Sequence, residues 1–312
     1  MKNVEEKREQ TVIKSNHLIQ QSRQQLSLSE QKAILYVCSM IKPTDKELEY
    51  EFSITDYLKV CGISDGGKNY EDLKQTLKNL TTKKWELRNE ETGDWYWVSW
   101  LGELSGNDKE SVFKVGIQKA LKPYLLDITK NYTRYELINI LALTSSYAVQ
   151  LYEILKSYAW TGRWVVTVDD FKAKLGLDKL KSYEAWGNVK NRVIEVAVRQ
   201  ISEKTDLSVD CRDNGSRGRK ATQIAFIIET KTDREYEATK DSVNQILNCN
   251  GSLDDDEIDI SLKNWLAENT PAPAPKKDKA DGQAAPKKYN IQKSRRVAPV
   301  GNRDLNKVLG IK

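Results

Sequence analysis

Two twelve-residue segments of this 312-residue chain repeat one another without a gap, and the repeat limits the folds that the chain can adopt. Residues 52–63 read FSITDYLKVCGI, and residues 166–177 read VTVDDFKAKLGL. Each segment has a short apolar run, an aspartate, an aromatic residue, and a glycine followed by an aliphatic residue. This order predicts a strand, a short helix with acid in its first turn, and a glycine at the helix end.

The same kinds of segment flank both copies of the repeat. An amphipathic helix is predicted before each copy, over residues 29–41 and 146–159, and a longer helix after each, over residues 69–84 and 183–204. A β-hairpin pattern follows each long helix. Helix, strand, helix, long helix and hairpin is the order of a winged-helix domain. The chain is therefore predicted to be an α+β protein with two tandem winged-helix domains and β-hairpin wings.

Turn residues lie in the middle of both hairpin patterns. The first hairpin is predicted to turn at residues 91–94 (ETGD), just before the aromatic run WYWVSW of residues 95–100. The second is predicted to turn at residues 213–218 (DNGSRG). We expect the aromatic run to pack on both faces of a sheet or at a dimer contact, rather than to stack on bases.

These patterns divide the chain into four parts. The first winged-helix domain is assigned to residues 11–118 and the second to residues 119–232. Residues 1–10 are predicted to be a flexible N-terminus. Residues 233–312 are predicted to be a mostly disordered tail, first acidic and then rich in lysine and proline, because they contain too little apolar surface to offset the entropy of ordering. The basic part of this tail is interpreted as either a phosphate-binding arm or a solubilising linker.

The composition argues against several classes of protein. Four scattered cysteines and a single histidine predict neither a zinc site nor a disulfide framework. A rolling-circle nuclease needs a pair of metal-binding histidines, which a chain with a single histidine lacks. The sequence also lacks the phosphate-binding loop motif that an ATPase requires. The N-terminus is charged, and no apolar run approaches the ~20 residues that span a bilayer. We expect a cytoplasmic protein that is not an enzyme and has no cofactor and no contact with a membrane.

The second long helix carries the residues best suited to reading bases. At about 100° per residue, one face is polar and the opposite face is apolar, with Val189, Val193, Val196, Ala197 and Ile201. The polar face comprises Asn188, Asn191, Arg192, Glu195 and Arg199. An arginine can bond guanine through two hydrogen bonds, an asparagine can bond adenine, and a glutamate can accept from cytosine. The alternative is an ordinary solvated face, but the order of the elements favours base reading.

Two further sets of residues are candidates for contact with the DNA backbone. Four basic residues surround the turn of the second hairpin: Arg212, Arg217, Arg219 and Lys220. The predicted outward face of the first long helix is also polar: Gln75, Lys78, Asn79 and Thr82. Phosphate contacts position a protein without reading sequence, and we expect that role for both sets, with a solvated loop or face as the alternative.

Several stretches resemble the iteron-type plasmid replication initiators. Residues 12–19 (VIKSNHLI) and 28–35 (LSEQKAIL) are similar to the opening of that family. Residues 151–155 (LYEIL) resemble the helix that begins its second domain. Residues 189–193 (VKNRV) and 204–209 (KTDLSV) resemble its recognition helix and the strand that follows.

The resemblance runs in family order from about residue 11 to residue 228, and it implies a function. Proteins of this family bind direct repeats, called iterons, in the double-stranded DNA of a plasmid origin. They help to open the duplex and recruit the host initiator and the replicative helicase. Many dimerise through the first domain and then repress their own gene. A winged-helix transcriptional repressor without a role in initiation uses the same binding chemistry and stays open as the alternative.

Overall fold

The computed structural model describes residues 3–21, 26–88, 93–126, 128–215 and 221–249. Up to residue 126 its helices are α1 (Val4–Arg8), α2 (Asn16–Gln21), α3 (Leu28–Cys38), α4 (Ile54–Cys61), α5 (Gly67–Thr82) and α6 (Lys122–Leu125). The strands of the same part are β1 (Thr11–Ser15), β2 (Glu49–Ser53), β3 (Trp85–Arg88), β4 (Trp95–Val98), β5 (Leu101–Asn107) and β6 (Val112–Ile117).

After residue 128 the chain continues with a second set of elements. The strands are β7 (Tyr132–Glu136), β8 (Arg163–Thr167), β9 (Leu207–Asp213) and β10 (Gln223–Thr230). The helices are α7 (Ile138–Leu141), α8 (Ser146–Tyr158), α9 (Val168–Lys174), α10 (Trp186–Val189), α11 (Glu195–Lys204) and α12 (Asp233–Cys249). A π-helical turn, Lys190–Ile194, joins α10 to α11. The two predicted winged-helix patterns are thus both present.

Each copy of the repeat contributes the edge strand of a three-stranded antiparallel sheet. The strand orders are β2-β6-β5 in the first domain and β8-β10-β9 in the second. Phe52 pairs with Phe113 in the first sheet, and Trp164 pairs with Phe226 in the second. The two sheets therefore have the same topology, and the equivalent hairpins are β5-β6 and β9-β10.

This topology corrects the prediction of the first wing. The turn predicted at residues 91–94 belongs to the hairpin β3-β4, which forms a separate two-stranded sheet between α5 and β5. In the second domain the chain passes from α11 to β9 through residues 205–206, with no counterpart of this hairpin. The wing of the first domain is β5-β6, and β3-β4 is an insertion.

The repeat itself folds as its residue types predict. The short helices α4 and α9 follow β2 and β8 directly, and the Thr167 hydroxyl caps α9 by accepting a hydrogen bond of 3.1 Å from the Asp170 amide. Gly62 and Gly176 end these helices with φ angles of 67° and 68°, in the left-handed region that favours glycine. The strand, helix and glycine expected in each copy are confirmed.

The aromatic residue of each copy lies in the core. Tyr57 is 3% exposed and meets Tyr36 edge-on at 5.1 Å between ring centroids. Phe171 is fully buried and lies 5.9 Å from Phe226, which itself stacks on Trp164 at 5.4 Å. Aromatic pairs of this kind fill the space between sheet and helices in both domains.

The two domains share a continuous core. β1 pairs with β7, so the boundary expected at residues 118–119 would separate two paired strands. α8 packs against α2 and α3 of the first domain and against α11 of the second. A buried ion pair joins β1 to α8: the ammonium of Lys14 bonds both carboxylate oxygens of Glu153 at 2.7 and 3.0 Å. The hydroxyl of Tyr135, in β7, donates to the same carboxylate at 2.6 Å. The expected boundary at residues 118–119 is thus crossed by a strand pair and by a buried ion pair.

Both ends of the described chain are more ordered than the sequence led us to expect. Residues 1–10 were predicted to be flexible, yet they include α1, whose Arg8 is 1% exposed. Residues 233–249 were assigned to a disordered tail, yet they form α12, which buries Val243 and Leu247. The remainder of that tail, residues 250–312, lies outside the described residues.

All four cysteines lie within the described residues, and no disulfide joins any two of them. Burial raises the pKa of Cys38 to about 12 and that of Cys61 to about 11. In the ranges that the structure describes, no group of three or more histidine, cysteine, aspartate or glutamate side chains is arranged to hold a metal ion. No helix in those ranges combines the length and the apolar character needed to cross a bilayer.

Candidate nucleic-acid interface

The second long helix is interrupted at its centre. It was predicted to be one α-helix over residues 183–204, but α10 and α11 are separated by the π-helical turn Lys190–Ile194. A π turn holds one residue more than an α turn, which rotates the residues before it by about 100° relative to a continuous helix. A constant 100° per residue therefore does not hold over the whole of residues 183–204.

The π turn changes which residues the helix buries. Val193 and Ile194 are consecutive and are both buried, at 1% and 2% exposure. Val189, Ala197 and Ile201 are buried as expected, whereas Val196, which was predicted to face inward, is only half-buried. Packing two successive aliphatic residues against the core explains why the helix accommodates the extra residue here.

The predicted polar face remains on the surface. Asn191, Arg192, Glu195 and Arg199 are exposed, and Asn188 is half-buried because its Nδ2 donates to the Ser182 carbonyl at 2.8 Å. Four of the five candidate base-reading residues are thus accessible, and they are distributed over the π turn and the first half of α11.

An ion pair connects this helix to the base of its wing. Lys190, in the π turn, lies 3.0 Å from the Oδ2 atom of Asp213 at the end of β9. The bond to Asp213 raises the pKa of Lys190. Burial alone would raise the pKa of Asp213, but the bonds from Lys190 and from the Gly215 amide lower it below its ordinary value. Both groups are therefore charged at neutral pH.

Asn214 joins the end of β9 to the start of β10 through its side chain. Its Oδ1 accepts hydrogen bonds from the Thr222 and Gln223 amides at 2.8 and 2.9 Å. Arg212 is exposed on β9, and its Nε lies 2.9 Å from the Asp210 carboxylate. The other three predicted basic residues of this wing, Arg217, Arg219 and Lys220, lie outside the described residues.

The first long helix has the expected division into faces. Its inward leucines, Leu73, Leu77 and Leu80, are 4% exposed or less. The predicted outward residues are arranged as follows: Gln75, Lys78 and Thr82 are exposed and Asn79 is half-buried. The Gln75 amide donates to Asn79 Oδ1 at 2.8 Å, so these two side chains are held together on the surface.

The first wing is tied to its helix in the same way as the second. Lys74 of α5 bonds both oxygens of Asp108, just beyond β5, at 2.9 and 3.1 Å, and the Tyr70 hydroxyl also donates to this carboxylate. Lys74 follows the buried Leu73, as Lys190 follows the buried Val189. Neither lysine–aspartate pair was predicted from the sequence. The signal available was a lysine directly after a core residue and an aspartate at the end of the first wing strand.

Comparison with known proteins identifies the family. The model described as "Initiator Replication protein, WH1" matches residues 11–156, and the model described as "Initiator Rep protein, WH2" matches residues 167–228. Together these ranges cover two thirds of the chain.

The chain belongs to the initiator replication protein family.

The fold of this initiator is also found in a solved structure. It superposes on a chain in "Crystal structure of Pi initiator protein in complex with iteron DNA" with a TM-score of 0.60 and 19% identity, covering 72% of this chain and 99% of that chain. Among curated proteins it is 22% identical, over 210 residues, to an Escherichia coli protein named "Uncharacterized 27.6 kDa protein". That match covers 62% of this chain and 86% of the relative.

The inserted hairpin gives the initiator a second exposed feature. Trp95 pairs with Arg88 and Trp97 pairs with Glu86, which places these four side chains on one face of β3-β4. The two tryptophans are 61% and 60% exposed. The expectation that the aromatic run packs on both faces of a sheet is therefore wrong for this pair, whereas Trp100 is buried at 1% exposure.

Proposed function

We propose that this initiator binds specific double-stranded DNA at a plasmid origin, recognises direct repeats there, and begins replication by helping to open the duplex. The observation that carries the proposal is the repeated unit of an exposed polar helix and a wing joined by a lysine–aspartate pair. Membership of the replication initiator family and the fold shared with a protein solved on iteron DNA support it.

Base reading is assigned to the second long helix. Arg192 and Arg199 provide guanidinium groups that can bond guanine in the major groove through two hydrogen bonds. Asn188 and Asn191 suit adenine, and Glu195 suits the amino group of cytosine. The exposure of four of these five residues supports the assignment.

Backbone contacts are assigned to the wing of the second domain and to the first long helix. Arg212 extends from β9 beside the wing turn, and the neighbouring basic residues Arg217, Arg219 and Lys220 remain sequence-based candidates for the same role. On the first long helix, the surface of Gln75, Lys78, Asn79 and Thr82 has one cation and three polar groups. That composition suits positioning on phosphates more than discrimination between bases.

Self-association is assigned to the inserted hairpin. Among the described residues no third strand pairs with β3-β4. β3 contacts α2, whereas the exposed face of the hairpin presents Trp95 and Trp97. A second copy paired through the same hairpin about a twofold axis would cover the tryptophans of both copies. Replacing both by serine is expected to abolish dimers in sedimentation velocity. Trp160→Ser is the matched control, because Trp160 is 84% exposed but does not belong to the hairpin, and it should leave the dimers unchanged.

The remaining parts of the proposal follow from the family resemblance. As a monomer the protein recruits the host initiator and the replicative helicase in the bacterial cytoplasm, and as a dimer it represses its own gene. It performs no nuclease or ATPase reaction itself. The second candidate function is transcriptional repression without initiation, which the same DNA-binding surface would support.

Footprinting on the DNA that flanks the gene tests the function. Two long helices entering successive major grooves lie about 34 Å apart, so one chain should protect about two helical turns. The proposal expects several protected direct repeats of that length. Protection of a lone inverted repeat, with no direct repeats bound, would favour the repressor and contradict initiation.

A further inference from the structure

The last described helix begins on the second domain. α12 follows β10 after a short connection in which the Lys231 amide donates to the Asp206 carbonyl at 3.0 Å. Thr232 and Glu235 cap the helix reciprocally: the Thr232 amide donates to Glu235 Oε2 at 2.9 Å, and the Glu235 amide donates to the Thr232 hydroxyl at 3.4 Å. The first turns of α12 then pack against α11 and α7.

Tyr236, in the first turn of α12, takes part in a polar network with β7, α7 and the segment after α11. Its hydroxyl accepts a hydrogen bond of 2.8 Å from Asn139 Nδ2 and donates one of 2.9 Å to Glu136 Oε2. Asn139 is 1% exposed, and its Oδ1 accepts from the Asp206 amide at 2.9 Å. Through Asn139, α12 is thus connected to the residues directly after α11.

The other end of α12 is held by a buried arginine of α1. The Arg8 guanidinium donates to the Lys59 and Val60 carbonyls at the end of α4, both at 3.0 Å. It also donates to Asn244 and Asn248 of α12 at 2.9 and 2.8 Å. One side chain therefore joins three helices, and its charge is stabilised by the carboxyl end of α4.

Close backbone packing completes this end. A Cβ atom at Gly62 would lie 2.6 Å from the Leu247 carbonyl oxygen, so α12 crosses the end of α4 in direct contact with its main chain. Because α12 has 17 residues, it is about 26 Å long, and its two ends contact different domains.

α12 contacts α11 directly, and it contacts α4, the helix that precedes α5 in the chain. The α4 carbonyls that bind Arg8 precede α5, and Asp206 follows α11. Neither α1 nor α12 falls within the ranges 11–156 and 167–228 that match the family models. We call α12, together with the Arg8 side chain that joins it to α4, the terminal clasp.

We propose that the terminal clasp is a positioning element for DNA recognition, which fixes the separation of the two long helices so that both domains meet the duplex at one spacing. The inference rests on the proposed function, since it requires both domains to bind one DNA site. The β1-β7 pair and α8 still connect the domains when the clasp is loosened, so the fold is retained while the spacing becomes less strict.

The test measures how strongly binding depends on the spacing between the parts of the site that the two domains protect. The full chain is titrated against the footprinted duplex and against duplexes with one or two base pairs inserted between those parts. Each inserted pair displaces the second part by about 3.4 Å and rotates it by about 35°.

Two clasp variants and one control distinguish an effect on the domain spacing from a general loss of stability. Arg8→Met removes the hydrogen bonds of Arg8 to α4 and to α12, and Tyr236→Phe removes one hydroxyl from the polar network. Lys7→Met is the matched control, because the ion pair of Lys7 with Asp56, 2.7 Å long, connects α1 to α4 without α12. Should Arg8→Met fail to fold at the assay temperature, Tyr236→Phe decides the test.

The wild-type chain and Lys7→Met are expected to lose at least about tenfold in affinity on insertion of two base pairs. Arg8→Met is expected to lose about threefold or less in affinity on the same insertion. The loss for Tyr236→Phe should lie between that of Arg8→Met and that of the wild-type chain. Clasp variants that keep the full wild-type penalty would overturn the clasp inference and leave the proposed function intact. If the wild-type chain lost no affinity on insertion, the two domains would not both bind one site. That result would overturn the clasp inference as well.

Discussion

The ammonium of Lys190 lies 3.0 Å from the carboxylate of Asp213 and joins the π turn of the second long helix to the base of its wing. Lys74 and Asp108 form the equivalent pair in the first domain, 2.9 Å apart. Each wing is thus oriented by the helix beside it. One partner of each pair is 48% or 68% exposed, so the pairs contribute little to stability. We expect them to act by placing the wing.

Breaking this pair from either side should weaken DNA binding. Lys190→Met removes a positive charge and Asp213→Asn removes a negative one, yet both release the wing from the helix. We expect several-fold lower affinity for the cognate duplex in both variants, with less than about 1 kcal/mol lost in the free energy of unfolding. Fluorescence anisotropy at fixed salt measures the affinities. Tighter binding by Asp213→Asn would show that only net charge matters at this position.

The buried Lys14–Glu153 pair should be a large contributor to the fold when only one partner is removed. The two side chains are 5% and 12% exposed. Glu153→Leu leaves the Lys14 ammonium buried without its carboxylate, and we expect a loss of about 3–5 kcal/mol in urea unfolding. Lys14→Met with Glu153→Leu should recover most of this loss. A double variant as unstable as the sum of the single ones would contradict the pairing.

Lys32 should make stability rise with pH in the alkaline range. Its pKa is lowered to about 8, chiefly by burial; Cys61 acts in the opposite direction, and the nearby Lys204 contributes to the lowering. The unfolded chain has the ordinary value of 10.5, so between pH 8 and pH 10.5 it binds more protons than the folded chain does. The free energy of unfolding of wild type relative to Lys32→Met should therefore increase by about 2 kcal/mol from pH 8 to pH 10. A difference independent of pH would contradict this.

Gly62 should tolerate alanine less well than Gly162 does. Both have a positive φ, 67° and 68°, so alanine strains the backbone equally at each position, by about 1 kcal/mol. At Gly62 the added methyl group also meets the Leu247 carbonyl oxygen at 2.6 Å, whereas at Gly162 the nearest atom is 3.7 Å away. Denaturant unfolding should show the larger loss for Gly62→Ala. Equal losses would mean that α12 does not pack against α4 as described.

The repeat made most of the fold predictable. An aspartate, an aromatic residue and a glycine in fixed order specify a strand and a capped helix locally, and Thr167 and Gly62 behave as their residue types require. The wing of the first domain could not be assigned from local pattern, because β5 and β3 are distinguished only by the long-range pairing of β6 with β2.

The π turn and α12 escaped prediction for different reasons. The π turn results from the burial of two successive residues, Val193 and Ile194. No residue type in the sequence indicates that both of them will face the core. α12 has a readable signal, because Tyr236, Lys240, Val243 and Leu247 recur at helical spacing and are all at least partly buried. That signal was outweighed by the polar composition of the surrounding tail.

Base reading by the second long helix is tested most directly by comparing cognate and scrambled duplexes for Arg192→Ala and Arg199→Ala at several salt concentrations. We expect each to lose about 1–3 kcal/mol of discrimination, mostly from cognate affinity. Arg212→Ala on the wing should weaken both duplexes alike and reduce the salt slope by about one. Arg134→Ala, an exposed arginine of β7, should change neither. If both helix variants lose cognate and scrambled affinity in equal proportion, the second long helix does not read the sequence.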